Sequence, residues 1–232
     1  MTIVQFDPFT GNYRFNEQNL VTDYHAHPAM EIIVAKQGVF TLETPDETLV
    51  DCTFACIRPN QLHAFKGENC NCVFLFVEPG IALFIEISKH IRGQKAVFSI
   101  SDRSRQLAIL DQLDRYLEFP EMLDQRISES ISYINNHLTE ELNLTSLAQL
   151  INVSPSRFSH LFKEHVGITL QKYILWTRLK HATNAFIHTK ANLTLAALIA
   201  GFHDSSHFTK QFKCFFGVKP SLPYNNSSIV QV

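Results

Sequence analysis

Residues 143–167, NLTSLAQLINVSPSRFSHLFKEHVG, decide the fold, because the chain repeats them with changes as residues 192–217, NLTLAALIAGFHDSSHFTKQFKCFFG. Matching Ala148 to Ala197 and Phe162 to Phe212 gives offsets of 49 and 50, so the second copy has one extra residue in its turn. A duplication of this kind is the mark of a repeated two-helix unit. Asn143 can cap a short helix carrying Leu144, Leu147 and Ala148. Ser154 is a natural cap for the next helix, with Pro155 suited to its first position. That helix turns Phe158, Leu161 and Phe162 inward and stops at Gly167. In the second copy Asn192 caps a helix with Leu193, Ala196 and Ala197, the turn runs Gly201-Phe202-His203-Asp204, and Phe208, Phe212 and Phe215 face inward before Gly217.

Working outward, Ile127, Ile131, Ile134 and Leu138 are spaced as one face of a preceding helix. A long helix over about residues 170–189 joins the two units, with Leu175, Leu179, Ala182 and Phe186 on its apolar face. Each unit is expected to have its own apolar core. Upstream the period changes. From Tyr24 to Val77 the text reads MEIIVAK, VFTLET, TLVDCTFACI, HAFK and CVFLFV, short strands between turns, which predicts a small barrel or sandwich. Residues 81–91 read as helix. Residues 102–119 place Leu107, Leu110, Leu113 and Leu117 on one helical stripe, packed on the barrel or on a second chain.

The 232 residues, 45% apolar and 18% charged, suffice for two domains and fit neither a fibrous nor a disordered chain. No apolar run reaches the roughly 20 residues of a membrane helix, and the polar start lacks a signal-peptide layout, so a soluble cytoplasmic protein is expected. Five cysteines, Cys52, Cys56, Cys70, Cys72 and Cys214, are an odd number, and four lie in strand-like text. Reduced, mostly buried thiols are the expectation, including the Cys70 and Cys72 pair on one strand face. Charge is divided unevenly. Residues 1–125 hold 10 Lys and Arg against 17 Asp and Glu, and residues 126–232 hold 10 against 5. The basic C-terminal half suits a polyanionic partner.

LNLTSLAQLINVSPSRFSHLFKEHVGIT, the connecting YILWTRLKHA and GFHDSSHFTKQFKCFFGVKPS together resemble the AraC/XylS family of bacterial regulators, over about residues 126–222. The chain departs from that family at Leu222-Pro223-Tyr224-Asn225, where a short aromatic-Arg step is common. The N-terminal half is similar to the cupin-type sensor barrels of the same family. His25-Ala-His27, Glu31 and Gly38 resemble the first cupin motif and Pro59 to His63 the second, with Cys52 where glycine is common. The resemblance implies a multi-domain α+β chain: a cupin-like sensor barrel in residues 1–80, a helical linker in 81–124, and a DNA-binding domain with two helix-turn-helix units in 125–226. It implies a sequence-specific DNA-binding transcription regulator that is not an enzyme, answering to a small-molecule effector, working with RNA polymerase and forming a homodimer.

A recognition helix meets base edges in the major groove with its first turns. The positions opposite the phenylalanine stripe are Ser156, Arg157, Ser159 and His160 in the first unit, and Ser206, His207, Thr209 and Lys210 in the second. Arg157 and Lys210 suit guanine edges, and Lys163 and Lys213, further along, suit phosphates. The plain alternative is that these side chains only face water. Arg178, mid-helix, is expected to pair with a carboxylate such as Asp204. His25, His27 and Glu31 share parity, so one continuous strand would project them from one face. With His63 they make a three-nitrogen, one-oxygen set suited to zinc, iron or manganese. The alternative is a pocket whose histidines hold an organic ligand or one another. Two other functions stay open on these residues: a metal-dependent cupin enzyme with a helical appendage, and an effector-independent DNA-binding protein.

Overall fold

The computed structural model describes residues 3–6, 13–79, 97–99, 102, 104, 106, 124–188 and 192–220. Their strands are β1 (Ile3–Phe6), β2 (Tyr13–Gln18), β3 (Met30–Gln37), β4 (Phe40–Glu43), β5 (Thr48–Cys52), β6 (Phe54–Ile57), β7 (Ala64–Lys66), β8 (Asn71–Val77) and β9 (Val97–Ser99). They form a six-stranded sheet, β1-β2-β8-β3-β6-β9, and a three-stranded sheet, β5-β4-β7. The near-continuous apolar text of β3 and β8 lies at the centre of the larger sheet, where both strand faces are covered.

Of the expected small barrel or sandwich, the described residues form two sheets and not a closed barrel. TLVDCTFACI, read as one piece, divides at Thr53, and β5 and β6 enter different sheets. Asp51, at a left-handed φ of 54°, bends the chain at that point. The sequence reading also missed β1, β2 and β9. β2 pairs with β8 from Tyr13 opposite Phe76 to Gln18 opposite Asn71, although its text, YRFNEQ, has little of the apolar pattern that marks a strand. The Leu107, Leu110, Leu113 and Leu117 stripe, the 81–91 segment and the Leu222–Asn225 departure lie outside the described residues.

The helices described are α1 (Gln125–Asn136), α2 (Leu144–Leu150), α3 (Pro155–Val166), α4 (Leu170–His188), α5 (Leu193–Ile199) and α6 (Ser205–Phe216). Residues 151–154 separate α2 from α3 and residues 200–204 separate α5 from α6, which is the one-residue difference the repeat implied. The caps agree as well. Asn143, Ser154 and Asn192 each accept a backbone N–H of the first turn, and Gly167 and Gly217 end α3 and α6 at left-handed φ. Arg178 does not pair with Asp204. Its Nε donates to the Leu138 carbonyl at 3.0 Å and its Nη2 to that of Glu140 at 3.1 Å, closing chain ends that follow α1, while Asp204 caps α6.

The two helix pairs differ in what they pack on. α1, α2 and α3 share a core of Ile127, Ile134, Leu147, Phe158 and Phe162 with the start of α4. The second pair has no core of its own: Trp176, Leu179, Phe208, Phe212 and Phe215 belong to one cluster with Ile33, Phe74 and Phe76 of the sheets. Trp176 Nε1 and Lys180 Nζ both donate to Glu78 Oε2 at 2.8 Å across this junction. Cys70 and Cys72 are buried with their sulfurs 3.0 Å apart, and burial raises the Cys72 thiol above its ordinary range. Cys56 is pushed up to about 12 by burial, so the Cys56 and Cys72 thiols are poor nucleophiles at neutral pH. Among the described residues no helix is long and apolar enough to cross a membrane.

Candidate functional site

On α3 the apolar positions Phe158, Leu161, Phe162 and Val166 are buried, which leaves Ser156, Arg157, Ser159, His160 and Lys163 together on the exposed face. Ser154 Oγ accepts from the Arg157 amide, fixing the first turn from which these side chains project. α6 repeats the arrangement. Asp204 accepts the His207 amide at 2.7 Å, Phe208, Phe212 and Phe215 are buried, and Ser206, His207, Lys210 and Lys213 are exposed. Thr209 is half-buried. The surroundings of the two faces are unequal. α6 borders a cleft of about 610 Å³ whose walls include Ser206, Thr209, Lys210 and Lys213 on one side and Asp23 and Tyr24 on the other. Lys213 Nζ lies 2.8 Å from Asp23 Oδ2, and this hydrogen bond and charge hold the Asp23 carboxyl below its usual range.

The four residues expected at a metal come together. His25, His27, Glu31 and His63 each offer a donor atom within 4.8 Å of the others, and all four are buried. The route differs from the expected continuous strand. Only Glu31 lies in a strand, β3; Pro28, which has no N–H to give a ladder, interrupts the chain after His27. His25 instead pairs with His63 in an isolated antiparallel bridge.

Each imidazole is oriented by its own neighbourhood. Nδ1 of His25 meets the Asp23 carbonyl at 2.9 Å, that of His27 the Ala29 carbonyl at 2.9 Å, and that of His63 the Gln61 carbonyl at 2.8 Å. A carbonyl oxygen only accepts, so all three Nδ1 atoms carry the proton. In the neutral rings the Nε2 atoms are then lone pairs. Those of His27 and His63 stand 3.2 and 3.0 Å from the same oxygen, Glu31 Oε2, and His63 Nε2 has no hydrogen-bond geometry to any partner. Lone pairs facing a carboxylate oxygen in a buried space repel unless a proton or a cation lies between them. Burial, with the neighbouring His63 and His27, lowers His25 to about 3, so this ring stays neutral. Burial alone would raise the Glu31 carboxyl, but the His27 and His63 rings beside it act the other way and hold it below its usual range. Backbone-anchored imidazoles with Nε2 turned inward are what a metal needs from its ligands.

Sequence reasoning missed the groups that connect this cluster to the helices. The His27 ring lies 4.9 Å from that of Phe76 and 6.3 Å from that of Trp176, and Phe76 and Trp176 both pack on Phe216. Asp23, Glu78 and Gly217 belong to the same junction. Partners about a hundred residues apart in sequence, such as Glu78 and Trp176, leave no local periodicity to read.

A family model described as a helix-turn-helix domain matches residues 147–222. An HTH-type transcriptional regulator of Bacillus subtilis strain 168, YobQ, is 33% identical over 216 residues, covering 88% of either chain. The arabinose operon regulatory protein of Escherichia coli K12 is 32% identical over 100 residues, which are 43% of this chain and 34% of that protein. Among solved structures, apo ToxT from Vibrio cholerae strain SCE256 matches with a TM-score of 0.60 at 11% identity, over 94% of this chain and 97% of its own. The same protein with an unsaturated fatty acid bound matches at 0.56 and 14%, over 90% and 92%. At those identities the likeness is one of fold.

Proposed function

The chain belongs to the AraC/XylS family of DNA-binding transcriptional regulators, and we propose that α3 and α6 are the two helices with which it reads DNA. The family is not enzymatic, which removes the cupin-enzyme alternative. The observation that carries the reading is the duplicated helix pair, each recognition helix opened by a side-chain cap, closed by a left-handed glycine and presenting an exposed polar face opposite its phenylalanines. Arg157 and Lys210 are the base readers, supported by Ser156, Ser159, His160, Ser206, His207 and Thr209, and Lys163 and Lys213 hold phosphates. Two such helices fit successive major grooves, about 34 Å apart on one face of the duplex. Full-length protein titrated with duplex DNA should lose affinity steeply with salt, the slope of log K against log salt being about 0.9 for each phosphate held. Affinity independent of salt would overturn the assignment.

Residues 1–80 serve as the sensing part, residues 81–124 as the link, and 125–226 as the DNA-binding part, in a cytoplasmic protein that pairs with a second copy through the Leu107–Leu117 stripe and works with RNA polymerase. ToxT, which shares the fold, is solved with a fatty acid; by analogy the N-terminal half here takes an effector. Its buried polar groups suit a cation better than an acid, because the backbone-anchored rings of His27 and His63 turn their Nε2 lone pairs toward the Glu31 carboxylate and all four residues offer donor atoms within 4.8 Å of one another. His25, His27, Glu31 and His63 would hold a divalent zinc, iron or manganese ion. The ion would supply the positive charge that this set of donors lacks. Elemental analysis of purified protein should then find about one equivalent per chain. The double substitution His25→Ala, His27→Ala should abolish it, and metal-free wild-type protein that takes up none on titration would leave only an organic pocket.

A further inference from the structure

Resting on that cation site, we infer that the chain is a cation-responsive regulator. A divalent first-row cation held by His25, His27, Glu31 and His63 fastens the second helix pair to the sheets and weakens its hold on DNA.

One short segment joins the site to the helix. Residues 22–27 supply two of the four donors, and the same residues close the C-terminus of α6. The Asp23 amide donates to the Gly217 carbonyl at 3.0 Å and the Ala26 amide to that of Cys214 at 3.3 Å. Carbonyls that a helix end would otherwise leave to water are thus satisfied by the ligand-bearing segment. Gly217 brings the two into direct contact: a Cβ there would stand 2.5 Å from the Asp23 carbonyl oxygen and 2.7 Å from His25 Nδ1. On the other side, the His27 ring stands on Phe76 and Trp176, the rings that hold Phe216. A change in how His25 and His27 are held is therefore felt at the end of α6 and in the aromatic group beneath it.

The direction of the effect follows from Asp23. In the fastened arrangement its carboxylate occupies Lys213, and with Tyr24 it walls the cleft beside Ser206, Thr209 and Lys210. An anion on a phosphate-binding lysine repels an incoming phosphate and has to be displaced by it. The ion pair is exposed and weak alone. The cation acts by fixing His25, two residues away, so that Asp23 can no longer swing clear. α3 has a separate core and an exposed face, so it keeps its DNA contact in both states and the loss is partial. Reciprocity requires DNA to weaken cation binding by the same factor.

Full-length protein stripped by a chelator and titrated with zinc chloride provides the test. Trp176 is the chain's one tryptophan, so its emission reports the arrival of the ion. DNA affinity is then measured at low salt, with and without zinc, on a duplex of about 30 base pairs, long enough for both helices. One equivalent should saturate the emission change and raise the Kd about five- to tenfold in the wild type. In Asp23→Asn, which keeps all four ligands, zinc should bind as before and change the Kd by less than about twofold. The His25→Ala, His27→Ala protein should show neither response. If zinc binds with one equivalent but the Kd is unchanged or falls, the linkage is wrong and the cation site stands. If zinc does not bind, the cation reading fails and the linkage fails with it.

Discussion

Trp176→Ala is expected to remove about 3–5 kcal/mol of folding stability, the usual cost of deleting a fully buried indole. Two effects add at this position. The substitution empties the centre of the aromatic group formed with Phe215 and Phe216, and it takes from Glu78 one of the two donors that meet its buried carboxylate. The remaining donor, Lys180, then faces an acid whose burial already raises its pKa, so the acid is held less firmly. The loss should also be uneven. α2 and α3 pack on a separate core, so hydrogen exchange should accelerate in α5, α6 and the sheet strands before it does in α3. Urea unfolding followed by circular dichroism measures the stability, and a loss below about 1 kcal/mol would mean that the junction between sheets and helices is not a core.

That junction marks the limit of what was legible in the sequence. The repeat, three of its caps and the extra turn residue could be read because each depends on neighbours within a few positions: Asn143 on Ser146, Ser154 on Arg157, Asn192 on Leu195. The cation cluster was found for a partly wrong reason. Strand parity placed His25, His27 and Glu31 together, whereas the chain brings them together through a bridge to His63 and a break at Pro28. Nothing local revealed that the second helix pair completes its core with the sheets. The inward phenylalanines of α3 and α6 look alike in sequence, and what differs is the layer each meets. The same blindness explains Arg178. A mid-helix arginine suggests a carboxylate partner, but the open carbonyls of Leu138 and Glu140 offered acceptors that no side-chain pattern announces.

Arg157→Ala is expected to cost about 1–3 kcal/mol on a cognate operator, a rise in Kd of about 5- to 150-fold, with a smaller change on random duplex. The contrast rests on position. Arg157 follows directly from the Ser154 cap, within the first turn of α3, where a recognition helix meets base edges, and its face is clear of the N-terminal half. Lys210→Ala on α6 should act in the same direction but less strongly, because the cleft shared with Asp23 and Tyr24 already hinders that helix. Lys163 lies further along α3 and should weaken cognate and random DNA alike when replaced by alanine, lowering the salt slope by about one. Lys213→Ala should change the salt slope by less than Lys163→Ala does, since Asp23 competes with phosphate for it. Titrations of the four variants on both duplexes at several salt concentrations separate these outcomes. Equal losses for Arg157→Ala on operator and random DNA would assign that arginine to phosphate, and equal slopes for Lys163→Ala and Lys213→Ala would mean that Asp23 leaves its lysine as soon as DNA arrives.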